Sequence, residues 1–138
     1  MQVNPYLNFD GQCAEAFRFY AQVLGGTIEA MITHAETPIA GEVPPEWGER
    51  IMHARLVVGG QVLMASDSPP EYYQKPQGLY VSVNVDEAAE AERIFHALAE
   101  DGTVAMPMAE TFWAERFGMC SDRFGTPWMV NCQRPTES

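Results

Sequence analysis

The sequence is short of basic residues, of cysteine and of long apolar runs, and each shortage removes a class of function. Eight Lys and Arg stand against 19 Asp and Glu, a formal net charge of −11. Nucleic-acid binding, which needs basic stripes to displace counterions, is therefore not expected. The acidic balance permits a cationic ligand, although it serves solubility equally well. Cys13, Cys120 and Cys132 are odd in number and show no CxxC spacing. A disulfide framework does not fit; structural, unpaired thiols in a reducing compartment do. No window approaches the ~18 uninterrupted apolar residues of a membrane span. The opening MQVNPYLNF lacks the basic region and apolar stretch of a signal peptide. The expectation is a cytoplasmic protein with no membrane partner.

What is present is enough for one domain over 1–138. Of the 138 residues 46% are apolar, so a core can form without disulfide or metal staples.

An internal repeat organises the chain. EAFRFYAQVLGGTI (15–28) matches EAERIFHALAEDGTV (90–104), with one residue inserted before the second GT. Further on, GGQVLM (59–64) meets FGTPWM (124–129), aligning Gly60 with Gly125 and Met64 with Met129. Each half reads as strand, helix, then three strands, with module one at 1–66 and module two at 78–134. Helical spacing puts Ala16, Tyr20 and Val23 on one face, with Glu15, Arg18 and Gln22 opposite. In the second helix Ala91, Ile94, Phe95 and Leu98 oppose Arg93, His96 and Glu100. Gly25-Gly26 and Gly102 read as stop signals.

The strands alternate with period two. LYVSVNVD sets Leu79, Val81, Val83 and Val85 against Tyr80, Ser82 and Asn84, and VNPYLNFD sets Leu7 and Phe9 against Tyr6 and Asn8. The apolar face belongs under a helix; the other is free to line a cavity. Two segments break the pattern: 35–50, rich in Pro, Gly and Glu, reads as a lid or a mobile excursion, and 67–78 joins the halves. Trp47 anchors the first of these to the body or closes over a ligand. Trp113, Phe117 and Trp128 read as core.

IMHARLVVGGQVLMASD, KPQGLYVSVNVD and FWAERFGMCSDRFGTPWMVNC, with the tandem βαβββ pattern, resemble the vicinal oxygen chelate superfamily of glyoxalases, extradiol dioxygenases and bleomycin- or fosfomycin-resistance proteins, in its PhnB-like branch. The resemblance covers essentially the whole chain. It implies an α+β fold of tandem βαβββ modules, an eight-stranded half-open barrel enclosing a shared cup, and pairing as a homodimer. Metal-dependent members hold a divalent ion with His, Gln or Glu from the first and last strands of each module. Those positions fall here near Asn4 to Tyr6, at Met64, near Tyr80 and at Met129. Thioethers and a phenol are poor ligands for Zn²⁺, Ni²⁺, Mn²⁺ or Fe²⁺. No metal is expected at the usual site, and no cofactor is assigned.

The cup is then expected to be lined by Tyr6, Asn8, Met64, Tyr80, Ser82, Cys120, Met129 and Asn131. In IMHARLVV, alternation puts Met52, Ala54 and Leu56 towards the core and His53 with Arg55 on the other side. Two readings of this pair stay open: Arg55 binds an anionic group with His53 as general base, or both are solvated or paired with acids on an open sheet. Cys120 repeats the position of Arg55 in module two and reads as a passive packed thiol or a nucleophile. Cys13 lies near a helix N-terminus, where the dipole favours thiolate. His34 has no companion at metal spacing. Three functions follow: a small-molecule binding protein, a metal-independent isomerase, lyase or hydrolase using His53, or a metal-dependent enzyme with relocated ligands. Members of this branch are also labelled ubiquinone-pathway methyltransferases, but no strand leads into a glycine-rich loop suited to S-adenosylmethionine, and that label is not transferred.

Overall fold

A computed structural model describes residues 1–134. The domain expectation over 1–138 ends outside the described residues. The chain divides into two compact units, Met1–Gln74 and Lys75–Ser138, with the same element order. The first holds β1 (Tyr6–Phe9), α1 (Cys13–Leu24), β2 (Thr27–Thr33), β3 (Ile51–Val58) and β4 (Gln61–Asp67). The second holds β5 (Val81–Val85), α2 (Ala88–Ala99), β6 (Thr103–Ala109), β7 (Ala114–Ser121) and β8 (Pro127–Gln133). Their sheets run β1-β4-β3-β2 and β5-β8-β7-β6, and neither closes on itself. β1 pairs with β4, and β5 with β8, in parallel; the other pairs are antiparallel.

Each helix covers one face of its own sheet. α1 buries Cys13, Ala16, Phe17, Tyr20 and Val23, and α2 buries Ala91, Ile94, Phe95 and Leu98, the faces expected from their spacing. Phe9, Phe17 and Tyr20 meet with ring centroids 6.0–6.4 Å apart. All three are fully buried, each stabilising by roughly 1.5–3 kcal/mol before entropy is counted.

The two helices stop by related means. Gly25 and Asp101 take left-handed φ values of 71° and 60°. The glycine that follows each is required by space instead: a Cβ on Gly26 would lie 2.8 Å from the Val57 carbonyl oxygen, and one on Gly102 2.2 Å from that of Ser121. Gly102 is thus a contact point between the helix exit and β7 rather than a positive-φ stop.

Two buried aspartates fasten the units internally. Asp67 accepts the backbone N–H of Cys13 at 3.0 Å and of Ile51 at 2.8 Å, joining β4 to the start of α1 and of β3. Asp122 accepts the N–H of Phe124 (2.8 Å), of Thr126 (3.1 Å) and the indole N–H of Trp128 (2.8 Å). It therefore shapes the β7–β8 turn and locks it to the core.

Two expectations, on Leu79 with Tyr80 and on Met52, are corrected. Leu79 and Tyr80 precede β5, and Leu79 is 79% exposed, so the strand is shorter than its alternating pattern. Met52 is only half-buried while Ile51 is buried, because the β2–β3 register shifts between Ile32 and Thr33 and interrupts the alternation. The 35–50 segment carries short 3₁₀ turns, Ala40–Glu42 and Pro45–Trp47, after a first at His34–Glu36. Trp47 is half-buried against His34.

Candidate functional site

The sheet face turned away from each helix carries the polar side chains. Cross-strand register places them in rows, because residues directly opposite share a face. In the first unit Tyr6 lies beside Met64, Met64 beside Arg55, and Arg55 beside Ala30. His53 is one step along the same face, opposite Ile32. Its Nδ1 lies 3.4 Å from the Tyr6 hydroxyl, with ring centroids 6.0 Å apart. Asn8, opposite Ser66, completes this face. The structure thus brings together Tyr6, Asn8, His53, Arg55 and Met64.

Arg55 is not a bare cation. Its Nε donates to Glu29 Oε1 at 2.9 Å, both side chains being partly exposed. Glu29 reaches it from a register shift in β2 between Ile28 and Ala30. This pairing is the second of the two readings drawn from sequence, and it weakens the pull on an anion by supplying a competing carboxylate.

In the second unit Ser82 lies beside Met129, Met129 beside Met119, and Met119 beside Met106. The next row runs Asn84, Asn131 and Phe117. Asn131 Nδ2 donates to Asn84 Oδ1 at 3.2 Å, and Asn84 Nδ2 to Ser82 Oγ at 3.3 Å. The Asn131 Oδ1 atom is buried and accepts nothing. Phe117 meets Trp113, and Trp113 meets Phe112, both edge to face. Of the aromatics read as core, Trp128 is fully buried and Phe117 nearly so, but Trp113 is 45% exposed.

Cys120 does not join this face. It pairs with Trp128 on the buried side, and the counterpart of Arg55 is Met119. Val57 and Val62 pair across four intervening residues in the first unit, whereas Ser121 and Pro127 pair across five in the second. The longer turn displaces the alignment by one residue, which in a strand reverses the side chain. Tyr80 is displaced likewise: the strand partner of Met129 is Ser82.

The thiols are chemically quiet. Burial, then the nearby Asp67 carboxylate, raises Cys13 far above the ordinary thiol value, against the effect expected of a helix N-terminus. Burial and Asp122 push Cys120 up to about 11, and burial with Glu115 raises Cys132. Native protein is expected to react with iodoacetamide at pH 8 at least about 100-fold more slowly than unfolded protein, since only opening exposes the thiols. Because the folded Cys120 thiol is raised from 9.0 to about 11, its contribution to stability is complete below pH 9 and is lost as pH rises from 9 through 11. Urea melts across that range check the sign.

Of the positions at which the resemblance implies a metal, Tyr6 pairs with Met64, while Met129 pairs with Ser82 where Tyr80 is expected. A phenol, a hydroxyl and two thioethers do not fit a hard or borderline divalent ion. Among the described residues no group of three His, Cys, Asp or Glu is placed to hold a metal.

Two βαβββ units with open sheets and helix-free faces define a glyoxalase/bleomycin-resistance-like fold. The chain belongs to the family described as 3-demethylubiquinone-9 3-methyltransferase, whose model matches residues 1–131. Protein PA1353 from Pseudomonas aeruginosa is 54% identical over 98% of this chain and 99% of that one, with a TM-score of 0.90. Protein YjdN from Escherichia coli is 33% identical over 99% of this chain and 100% of its own. The PhnB protein from Bacillus cereus is 24% identical over 96% and 99%, TM-score 0.81. The fold reaches further, to the fosfomycin resistance protein FosX of Listeria monocytogenes, at 7% identity, 97% and 93% coverage and TM-score 0.65. Among the described residues no helix is long and apolar enough to cross a membrane.

The family's description names a methyl transfer, for which S-adenosylmethionine is the usual donor. A nucleotide-type cofactor is cradled by a glycine-rich turn between a strand and an open helix N-terminus. Here the first amide of α1 is already donated to Asp67, and the Arg50 guanidinium stands 3.4 Å from where a Cβ on Gly11 would be. The turn before α2 is Asp86-Glu87, without glycine. Neither turn fits the cofactor.

Proposed function

We propose that this protein binds a small organic molecule on the helix-free faces of its sheets and does so without a metal at the superfamily's usual position. The observation that carries this reading is the set of side chains at the four register positions, Tyr6, Met64, Ser82 and Met129. They are adaptable and weakly ligating, and they adjoin the Tyr6–His53 pair and the Asn84–Asn131 amides. Methionine adjusts to irregular apolar shapes, while phenol, imidazole and amide orient a polar group. The Arg55–Glu29 pair suits a ligand with both donor and acceptor groups better than a plain anion. Pairing into a homodimer is part of the same reading, and the exposed side chains Val104 and Met106 on the edge strand β6 support it.

The test is ligand-observed NMR screening against protein carrying ¹³C-methyl methionine. Hits on the first sheet are expected to shift Met64 and to lose about 5–30-fold in affinity in His53→Ala, the loss of one or two polar contacts; hits on the second are expected to shift Met119 and Met129, and both are expected to persist in excess EDTA. Binding that EDTA abolishes, or hits that leave all three methyls unmoved, would reject the reading. A second reading, a metal-independent reaction with His53 as base, draws on the nearness of the Tyr6 hydroxyl to Nδ1. Turnover of a bound hit that follows a sigmoid pH profile and vanishes in His53→Ala would favour it.

A further inference from the structure

We propose that a cavity in the first unit, separate from the sheet face described above, is a binding site for a small organic cation: an ammonium group on a compact apolar body. The cavity measures about 430 Å³ and lies between the 34–47 segment and residues 67–71. That volume falls in the range of small-molecule sites, roughly 300–1,000 Å³. Val43, Pro44 and the ring of Trp47 line it with apolar surface, and its polar lining is His34, Asp67 and Glu71.

The chemistry of that polar lining selects the ligand. Asp67 and Glu71 accept hydrogen bonds and carry negative charge when ionised. No Lys or Arg is among the lining residues. An anion would meet two carboxylates, and a plain hydrocarbon would leave them without a partner of opposite charge. An ammonium offers N–H donors and an opposite charge to both acids.

The walls are fixed to different degrees. Asp67 is held by the N–H groups of Cys13 and Ile51 and acts as a stationary charge. Glu71 is exposed and free to adjust. Trp47 is pinned between the edge of His34, 6.0 Å away, and the Arg50 guanidinium, 4.5 Å from its ring centroid. Arg50 is itself paired with Asp10 at 3.4 Å. With that cation already over Trp47, the ring supplies contact to the ligand's apolar body, and the carboxylates read the charge.

The experiment titrates benzylammonium, benzyl alcohol and benzoate separately into the ¹⁵N-labelled full chain, with the Trp47 indole N–H assigned by Trp47→Phe. Benzylammonium is expected to shift that indole and the amides of residues 43, 47, 67 and 71. It should bind about ten-fold more tightly than benzyl alcohol, with no saturable shift from benzoate, as charge selection requires. Glu71→Gln, at an exposed position that leaves the fold intact, should weaken benzylammonium about five-fold and leave the alcohol unchanged, the size of a partly solvated charge pair. Equal affinities for amine and alcohol, competition by benzoate, indifference to Glu71→Gln, or shifts confined to other residues would each overturn the proposal. The Met64 and Met129 methyls report separately on the sheet faces, so the two sites succeed or fail independently.

Discussion

Replacing Asp122 by alanine is expected to lower the stability of the protein by about 3–5 kcal/mol, because one buried carboxylate satisfies three donors. The amides of Phe124 and Thr126 and the indole N–H of Trp128 all point at it, and Asp122 and Trp128 are both buried. Removing it leaves those donors without water or acceptor. The loss is a large share of the ~5–15 kcal/mol by which domains of this kind are stable. Asp122→Asn keeps one acceptor oxygen and adds an NH₂ that faces other donors, so about half of the loss is expected to remain. Urea denaturation followed by Trp fluorescence measures both. A loss under 1 kcal/mol in Asp122→Ala would mean that the β7–β8 turn does not depend on this residue.

Gly102→Ala is expected to cost about 2–4 kcal/mol, the price of driving a methyl group into packed backbone. The new Cβ would sit 2.2 Å from the Ser121 carbonyl oxygen and 3.0 Å from the Asp122 backbone, and neither yields as a flexible side chain does. Gly60→Ala is the control. A Cβ there meets nothing within 4 Å and the residue lacks a positive φ, so a change within about 0.5 kcal/mol is expected. Equal melting midpoints for the two variants would refute the close-approach account of the helix exit.

The contrast between these glycines shows which parts of the fold are legible in sequence. Helix faces were readable because Ala16, Tyr20 and Val23, or Ala91, Ile94 and Leu98, recur at helical spacing and all become buried. The repeat was readable because both units use the same elements in the same order. Offsets of a single residue were not. Cys120 was placed with Arg55, yet the longer β7–β8 turn gives that place to Met119. Periodicity carries no information about turn length until the turn itself is understood. A local signal for that turn was present: an aspartate two residues before the amide it caps, as in Asp122-Arg-Phe, is an Asx-turn pattern.

Candidate-site residues divide in the same way. Tyr6, Asn8, His53 and Arg55 follow from alternation and Met64 from the repeat and the resemblance, and all five share one face. Glu29 as the partner of Arg55 was not foreseen, because a register shift in β2 brings it there and alternation assumes none. Met119 escapes the sequence reading through the same offset that misplaces Cys120, and Met106 because no cup position is read from β6. The cavity beside His34 and Trp47 joins that segment to residues 67–71 across the intervening strands, and in these proline-rich stretches no period exists to be read.

Native mass spectrometry of protein purified without chelator, and again after incubation with Ni²⁺, Mn²⁺, Fe²⁺ and Zn²⁺, separates the proposed organic ligand of these sheet faces from a metal centre. Chains are expected to retain no divalent ion through desalting, alone or with a co-purified organic molecule. One tightly held ion per chain would contradict the proposal and would place the ligands at residues other than Tyr6, Met64, Ser82 and Met129.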